Sequence, residues 1–244
     1  MPVSPDPSRR FAIVAGLGVA TALAACNGGK DKQGAEADIS ATEDLMREHG
    51  VLRRVLVVYR ETASLLRADA SKLDAGALGE AASLFRNFGE DYHERKLEEQ
   101  FIFPAVQKAG GEAGGLVGTL KAQHDRGREL TAYVQSRTAS GKVSAADAEP
   151  LAKALEGFTR MYEAHTAFED TIVFQAWRKT MSKKQFEEMG DRFEEIEKAQ
   201  FKGDGFDMAV DQIARIEQRL GLHDLGRYTA PSPAGAAPST ADVG

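Results

Sequence analysis

The stretch Tyr162-Glu163-Ala164-His165-Thr166-Ala167-Phe168-Glu169-Asp170 sets an imidazole and a carboxylate four residues apart inside an amphipathic pattern. On an α-helix that spacing leaves both side chains on one face, about 40° apart. Leu151, Leu155, Phe158, Tyr162, Ile172 and Phe174 recur on the same side. The pattern therefore predicts a helix over about 145–181, with Ser144 as its cap. A His and a Glu one turn apart can hold one cation between them, the carboxylate remaining free to reach a second.

Three more segments upstream carry the same kind of pattern, each with one histidine. The first, about 42–66, places Leu45, His49, Leu52, Leu56 and Tyr59 near one face and has Ser40 or Thr42 to cap it. A second, about 75–108, turns Leu78, Ala82, Phe85, Phe88, Tyr92 and Phe101 inward, carries His93, breaks near Pro104 and ends at Gly110-Gly111. The third, about 112–137, carries Leu116, Leu120, His124 and Leu130 and stops at Ser140-Gly141. Two further amphipathic stretches follow, 182–201 and 206–220. No internal repeat of useful strength is evident, and no period-two run is long enough to be a strand. Short connections between long helices favour antiparallel neighbours, so the expected fold is all-α, an up-and-down four-helix bundle with additional C-terminal helices.

A single histidine on an apolar helix face is more often a hydrogen-bonded core residue than a ligand. One from each of four helices reverses that preference, because a metal-free core would have to satisfy every buried imidazole by other means, at ~1–3 kcal/mol for each polar group left unpaired. Mixed imidazole and carboxylate donors suit iron or manganese. The chain has one Cys, outside the helices, which excludes a thiolate zinc site of the finger type. Its formal charge is −6, with basic residues scattered among acidic ones, so nucleic acid is not an expected partner.

Four short motifs resemble those of the hemerythrin-like (HHE) cation-binding domains. Arg47-Glu48-His49-Gly50-Val51-Leu52-Arg53-Arg54 is similar to the first-helix motif. Tyr92-His93 with Glu98-Glu99-Gln100-Phe101-Ile102-Phe103-Pro104 resembles the second, Gln123-His124-Asp125-Arg126-Gly127-Arg128 the third, and His165 to Asp170 with Phe174 the fourth. The resemblance implies a two-metal centre, two iron ions with manganese as the alternative, held by His49, His93, Glu98, His124, His165 and Glu169. It also implies a small diatomic ligand or peroxide as binding partner.

Two positions depart from the family pattern. Glu98 stands five residues after His93, where the family spaces them four apart and Leu97 stands here; on a regular α-helix that puts Glu98 about 140° away. A π-bulge near 93–99 would restore the pair. Arg128 occupies the position where oxygen-carrying hemerythrins have another His, and it is expected either to pair with a carboxylate or to be a surface charge. Tyr92 and Tyr162 are expected mainly to pack in the core. Glu90 forms a ferritin-like Glu-x-x-His with His93, but no second copy supports a ferritin-type site. His223 reads as a solvated loop residue.

The ends of the chain carry a separate message. Ser8-Arg9-Arg10 precedes an uncharged apolar run from Phe11 to Ala25, too short for a comfortable membrane span, ending in Leu23-Ala24-Ala25-Cys26. That ending resembles a lipobox, so residues 1–26 are expected to be a signal peptide with Cys26 as the lipidated residue, exported by the twin-arginine or Sec route. Cleavage removes Asp6, Arg9 and Arg10 and leaves the mature chain near −7. The expected order is then a flexible tether (27–41), the bundle (42–181), a helical extension (182–228) and a disordered tail (229–244). The leading expectation is a lipid-anchored metal protein on the periplasmic side of the cell envelope that binds O2, NO or peroxide in sensing, storage or scavenging. The alternatives are a di-iron enzyme reducing peroxide or NO with an external redox partner, and a structural or interaction lipoprotein without metal.

Overall fold

The computed structural model describes residues 39–233. Cys26 and the expected signal peptide, with most of the tether and the tail, lie outside the described residues. Within them the chain is all-α, with no strand. None of the described helices is long and apolar enough to cross a membrane.

Helix α1 (Ala41–Asp69) starts where Ser40 accepts a hydrogen bond from the Glu43 N–H at 3.3 Å, one residue earlier than the expected tether boundary. A 3-10 turn (Ala70–Lys72) and the Asp74 cap lead into α2, which runs as α-helix over Ala75–Leu84, as π-helix over Phe85–Ile102 and as α-helix again over Phe103–Ala109. Pro104 does not break it. The proline sits in the first turn of the final segment, directly after the π-helix. Gly110 and Gly111, at φ 76 and 69, make the reversal into α3 (Gly111–Thr138), a left-handed conformation that any Cβ would disfavour.

Helix α4 begins at its Ser144 cap, runs as α-helix over Ala145–Phe168, widens to a π-helix over Glu169–Val173 and closes over Phe174–Arg178. Helices α5 (Lys183–Phe201) and α6 (Gly205–Leu220) follow, and a 3-10 turn (Leu225–Tyr228) is the last element among the described residues.

In the bundle α1 packs on α4 and α2, and α3 packs on α2 and α4, which closes a ring of four. An aromatic layer of Tyr59, Phe85, Phe158 and Tyr162 fills the interior with edge-on contacts at ring separations of 4.8–5.2 Å. Helices α5 and α6 lie over α1 and α2, burying Phe193, Ile213 and Ile216, and Arg54 reaches Glu217 through two bonds of 2.9 and 2.6 Å. Phe101 and Ile172, expected inside, are only half-buried. Each lies within a π segment, where the wider turn shifts the phase so that Ile102 and Phe103, and Val173 and Phe174, take the inner positions. Leu116 and Leu130 flank the inner face of α3, which is formed instead by Val117, Leu120, His124, Thr131 and Val134.

Between α1, α5 and α6 the carboxylates of Asp44, Glu48, Glu197 and Asp204 face one another. Burial and then the neighbouring charges raise Glu197 to about 7, although its Oε1 accepts the Phe206 N–H at 2.7 Å. The folded chain holds that proton more tightly than the unfolded chain, so this residue's contribution to stability falls as pH rises from about 4.5 to about 7. Glu197→Gln keeps the acceptor and removes the charge. It is expected to raise the melting temperature at pH 8 by roughly 2–4 °C, for about 1 kcal/mol, and by less at pH 5. Thermal scans at the two pH values check this.

Candidate metal centre

The four histidines expected to converge do so. All are buried, as are Glu98 and Glu169. They form two imidazole pairs: His49 Nε2 lies 3.0 Å from His93 Nε2, and His124 Nε2 lies 3.2 Å from His165 Nε2. Glu98 stands between the pairs, with Oε1 3.3 Å from His93 Nε2 and Oε2 3.3 Å from His124 Nε2. Glu169 Oε2 likewise reaches His49 Nε2 at 3.5 Å and His165 Nε2 at 3.0 Å. Donor atoms of Glu98, His124, His165 and Glu169 fall within 4.8 Å of one another, as do those of His49, His93 and Glu98.

The five-residue spacing of His93 and Glu98 is absorbed as anticipated, by π-helix, although the widened segment is far longer than a local bulge. A second π segment, at Glu169, was not foreseen. The two are built alike: the Phe103 N–H donates to the carbonyl of Glu98, and the Phe174 N–H donates to the carbonyl of Glu169, each a five-residue step. Phe103 then stacks on His124 at 5.3 Å and Phe174 on His49 at 5.3 Å.

Each imidazole is held from behind through Nδ1. His49 meets Asp170 Oδ1 at 2.7 Å, His93 meets Glu48, His124 meets Glu99 Oε1 at 2.9 Å and His165 meets Gln123 Oε1 at 2.9 Å. Such partners fix the ring so that Nε2 points at the centre, and a carboxylate partner raises its basicity. Tyr92 and Tyr162, read mainly as packing residues, also donate hydrogen bonds, Tyr92 to Glu48 at 3.0 Å and Tyr162 to Glu94 at 2.7 Å. Arg128 is no surface charge: it donates to Glu99 at 2.6 Å and to Glu94 at 3.2 Å. Glu90 turns away from the centre to Arg86 and Thr131, which leaves the ferritin-like reading without support. His223 is exposed.

Electrostatics follow this arrangement. Burial alone would lower His124, but the charge of Glu94, the nearby Glu98 carboxylate and the hydrogen bond to Glu99 outweigh it and carry the ring up to about 10. His165, backed by a neutral amide, is pushed down to about 4 by burial and by His124. Burial, then the charge of Glu98, holds Glu169 well above the usual carboxylate range. Among the described residues, neither oxygen of Glu98 nor of Glu169 has a hydrogen-bond partner. Buried carboxylates left in this way cost several kcal/mol unless a cation compensates them. Four imidazoles and two such carboxylates are a donor set that fits a pair of iron or manganese ions.

The tyrosine beside the centre depends on a glycine. A Cβ at Gly127 would lie 2.0 Å from the Tyr162 hydroxyl and 2.8 Å from Cζ, and the ring cannot retreat because Phe158 and Phe85 pack against it. Gly127→Ala, which on an open helix would add stability, is here expected to cost about 1–3 kcal/mol through overpacking. Tyr162→Phe in the same chain should return part of that loss. Urea unfolding of the three variants measures it.

A family model described as the hemerythrin HHE cation binding domain matches residues 40–177. Uncharacterized proteins of Mycobacterium bovis and of two Mycobacterium tuberculosis strains are each 41% identical over 218 residues, covering 85% of this chain and 84% of theirs. No solved structure matches. With the family's motif order, its helical bundle and its histidine and glutamate clusters all in place, the chain belongs to the hemerythrin HHE cation-binding family.

Proposed function

We infer that this protein holds two metal ions, iron first and manganese as the alternative, and binds O2, NO or peroxide there as a sensor, store or scavenger. The observation that carries this reading is the set of four buried carboxylate oxygens of Glu98 and Glu169, without hydrogen-bond partners, set between two imidazole pairs. His49 and His93 would serve one ion, His124 and His165 the other, and both glutamates would be shared. Six protein side chains do not saturate two ions, which leaves positions for an exogenous molecule. When bound, the metals supply Lewis-acid and redox chemistry in a water-excluded site. The chain orients the imidazoles through Asp170, Glu48, Glu99 and Gln123 and walls the centre with Phe103 and Phe174.

The test is elemental analysis of the chain purified with Cys26→Ser, with optical spectra under nitrogen and after addition of O2, NO or peroxide. About two irons per chain and near-ultraviolet charge-transfer bands that change with one of these molecules support the reading. No metal after anaerobic reconstitution with ferrous iron would sink it. Turnover of peroxide or NO with an electron donor would instead identify an enzyme.

The Arg-Arg start, apolar run and Leu23-Ala24-Ala25-Cys26 ending support a lipid anchor at Cys26, on the periplasmic side of the envelope. Fractionation checks it, since Cys26→Ser should move the protein from membranes to the soluble fraction.

A further inference from the structure

The centre is assembled from two copies of one pattern, exchanged between helical hairpins. In α1, Arg53 stands four residues after His49; in α3, Arg128 stands four residues after His124. Each candidate ligand glutamate is followed at once by another acid and, five residues on, by a phenylalanine: Glu98, Glu99 and Phe103 in α2, and Glu169, Asp170 and Phe174 in α4. The partners cross over. The acid and phenylalanine of α2 serve His124 of α3, while those of α4 serve His49 of α1.

In each copy the arginine grips the second acid. Arg128 donates to Glu99 at 2.6 Å while Glu99 Oε1 also meets His124 Nδ1 at 2.9 Å. Arg53 donates to Asp170, whose other oxygen meets His49 Nδ1 at 2.7 Å. A carboxylate can orient an imidazole only if it is itself held, and a planar guanidinium fixes it better than a mobile ammonium.

The geometry assigns Arg53 and Arg128 as positioning residues with separate charges, Arg53 holding the half-site built on His49 and Arg128 the half-site built on His124. The assignment rests on the two-metal reading above. It also gives Arg128 its place, as the counterpart of Arg53 in the second copy and not as a substitute ligand. The two grips differ in strength. The Arg128 side chain is 15% exposed and bonds Glu99, Glu94 and Asp125, whereas that of Arg53 is 42% exposed and, among the described residues, bonds Asp170 alone. Solvent and salt weaken the second more.

The test follows metal release to a chelator from the full chain loaded with ferrous iron, in backgrounds that keep one half-site. In His49→Ala, where the His124 and His165 half remains, Arg128→Met is expected to speed release about 10-fold and Arg53→Met to leave it unchanged. In His165→Ala the dependence should reverse, with a smaller effect of Arg53→Met that shrinks further at high salt. Arg128→Lys, which keeps charge without the fork, should fall between, and it carries the comparison if Arg128→Met does not fold. Melting of the metal-free variants separates a general loss of stability, which would speed release in both backgrounds. Equal effects in both backgrounds, or none, in a parent that holds two irons overturn the assignment alone. A parent that holds no metal overturns the two-metal reading first.

Discussion

Glu98→Ala is expected to strip the centre of both metals, where His165→Ala is expected to leave one. The difference lies in where the side chains stand. Glu98 reaches His93 with one oxygen and His124 with the other, each at 3.3 Å, so its loss removes a donor from both half-sites. His165 belongs to one pair, and without it His49, His93 and the two glutamates remain together. Losing an outer partner of a metal ligand typically costs about 10–100-fold in affinity, so losing a shared direct donor should cost each ion more than about 100-fold. Elemental analysis after reconstitution and desalting reads the outcome as none against one. Two metals retained in Glu98→Ala would remove Glu98 from the donor set and leave the π-helix of α2 without its function.

The length of that π-helix marks how far the sequence could be read. Four histidines at helical positions, and His165 with Glu169 one turn on, are visible because α-helical spacing relates sequence distance to direction. His93 and Glu98 required a distortion to meet, and the resemblance pointed to Glu98 over Leu97, which packs in the core. The extent of the π segments was not legible, since a five-residue step leaves no mark in hydrophobic periodicity beyond a slipped phase, seen here at Phe101 and Ile172. The repeated pattern escaped for the same reason: four residues separate His93 from Glu98 but three separate His165 from Glu169, so the copies fall out of register. Asp170, Glu99, Glu48 and Gln123 each sit directly beside a candidate ligand in sequence, and only the fold shows which imidazole each one meets. For all four imidazoles that partner comes from a different helix.

Removing the metals is expected to lower the melting temperature steeply, and more so at pH 8 than at pH 6.5. At free metal of 100 to 1,000 times the dissociation constant, each site adds about 2.7–4.1 kcal/mol. Two sites then correspond to roughly 10–30 °C for a chain of this size. The metal-free protein has its own pH dependence. Burial and the charge of Glu98 raise Glu169, and His93 and His124 are raised as well, His124 to about 10, because nearby carboxylates outweigh their burial. In each case the folded chain binds the proton more tightly than the unfolded chain, so metal-free stability falls as pH rises beyond 6.5. His165, lowered to about 4, acts in the opposite sense, but all except about 0.4 kcal/mol of its contribution is in place by pH 6.5. Metal binding displaces the protons from these same groups and therefore strengthens over the same range. The gap between loaded and metal-free protein is this binding free energy, so it widens with pH, and calorimetry with and without chelator measures it directly. A gap that stays constant from pH 6.5 to 8 would mean that the buried imidazoles and carboxylates exchange no protons for metal, and the centre would then have to lie elsewhere in the chain.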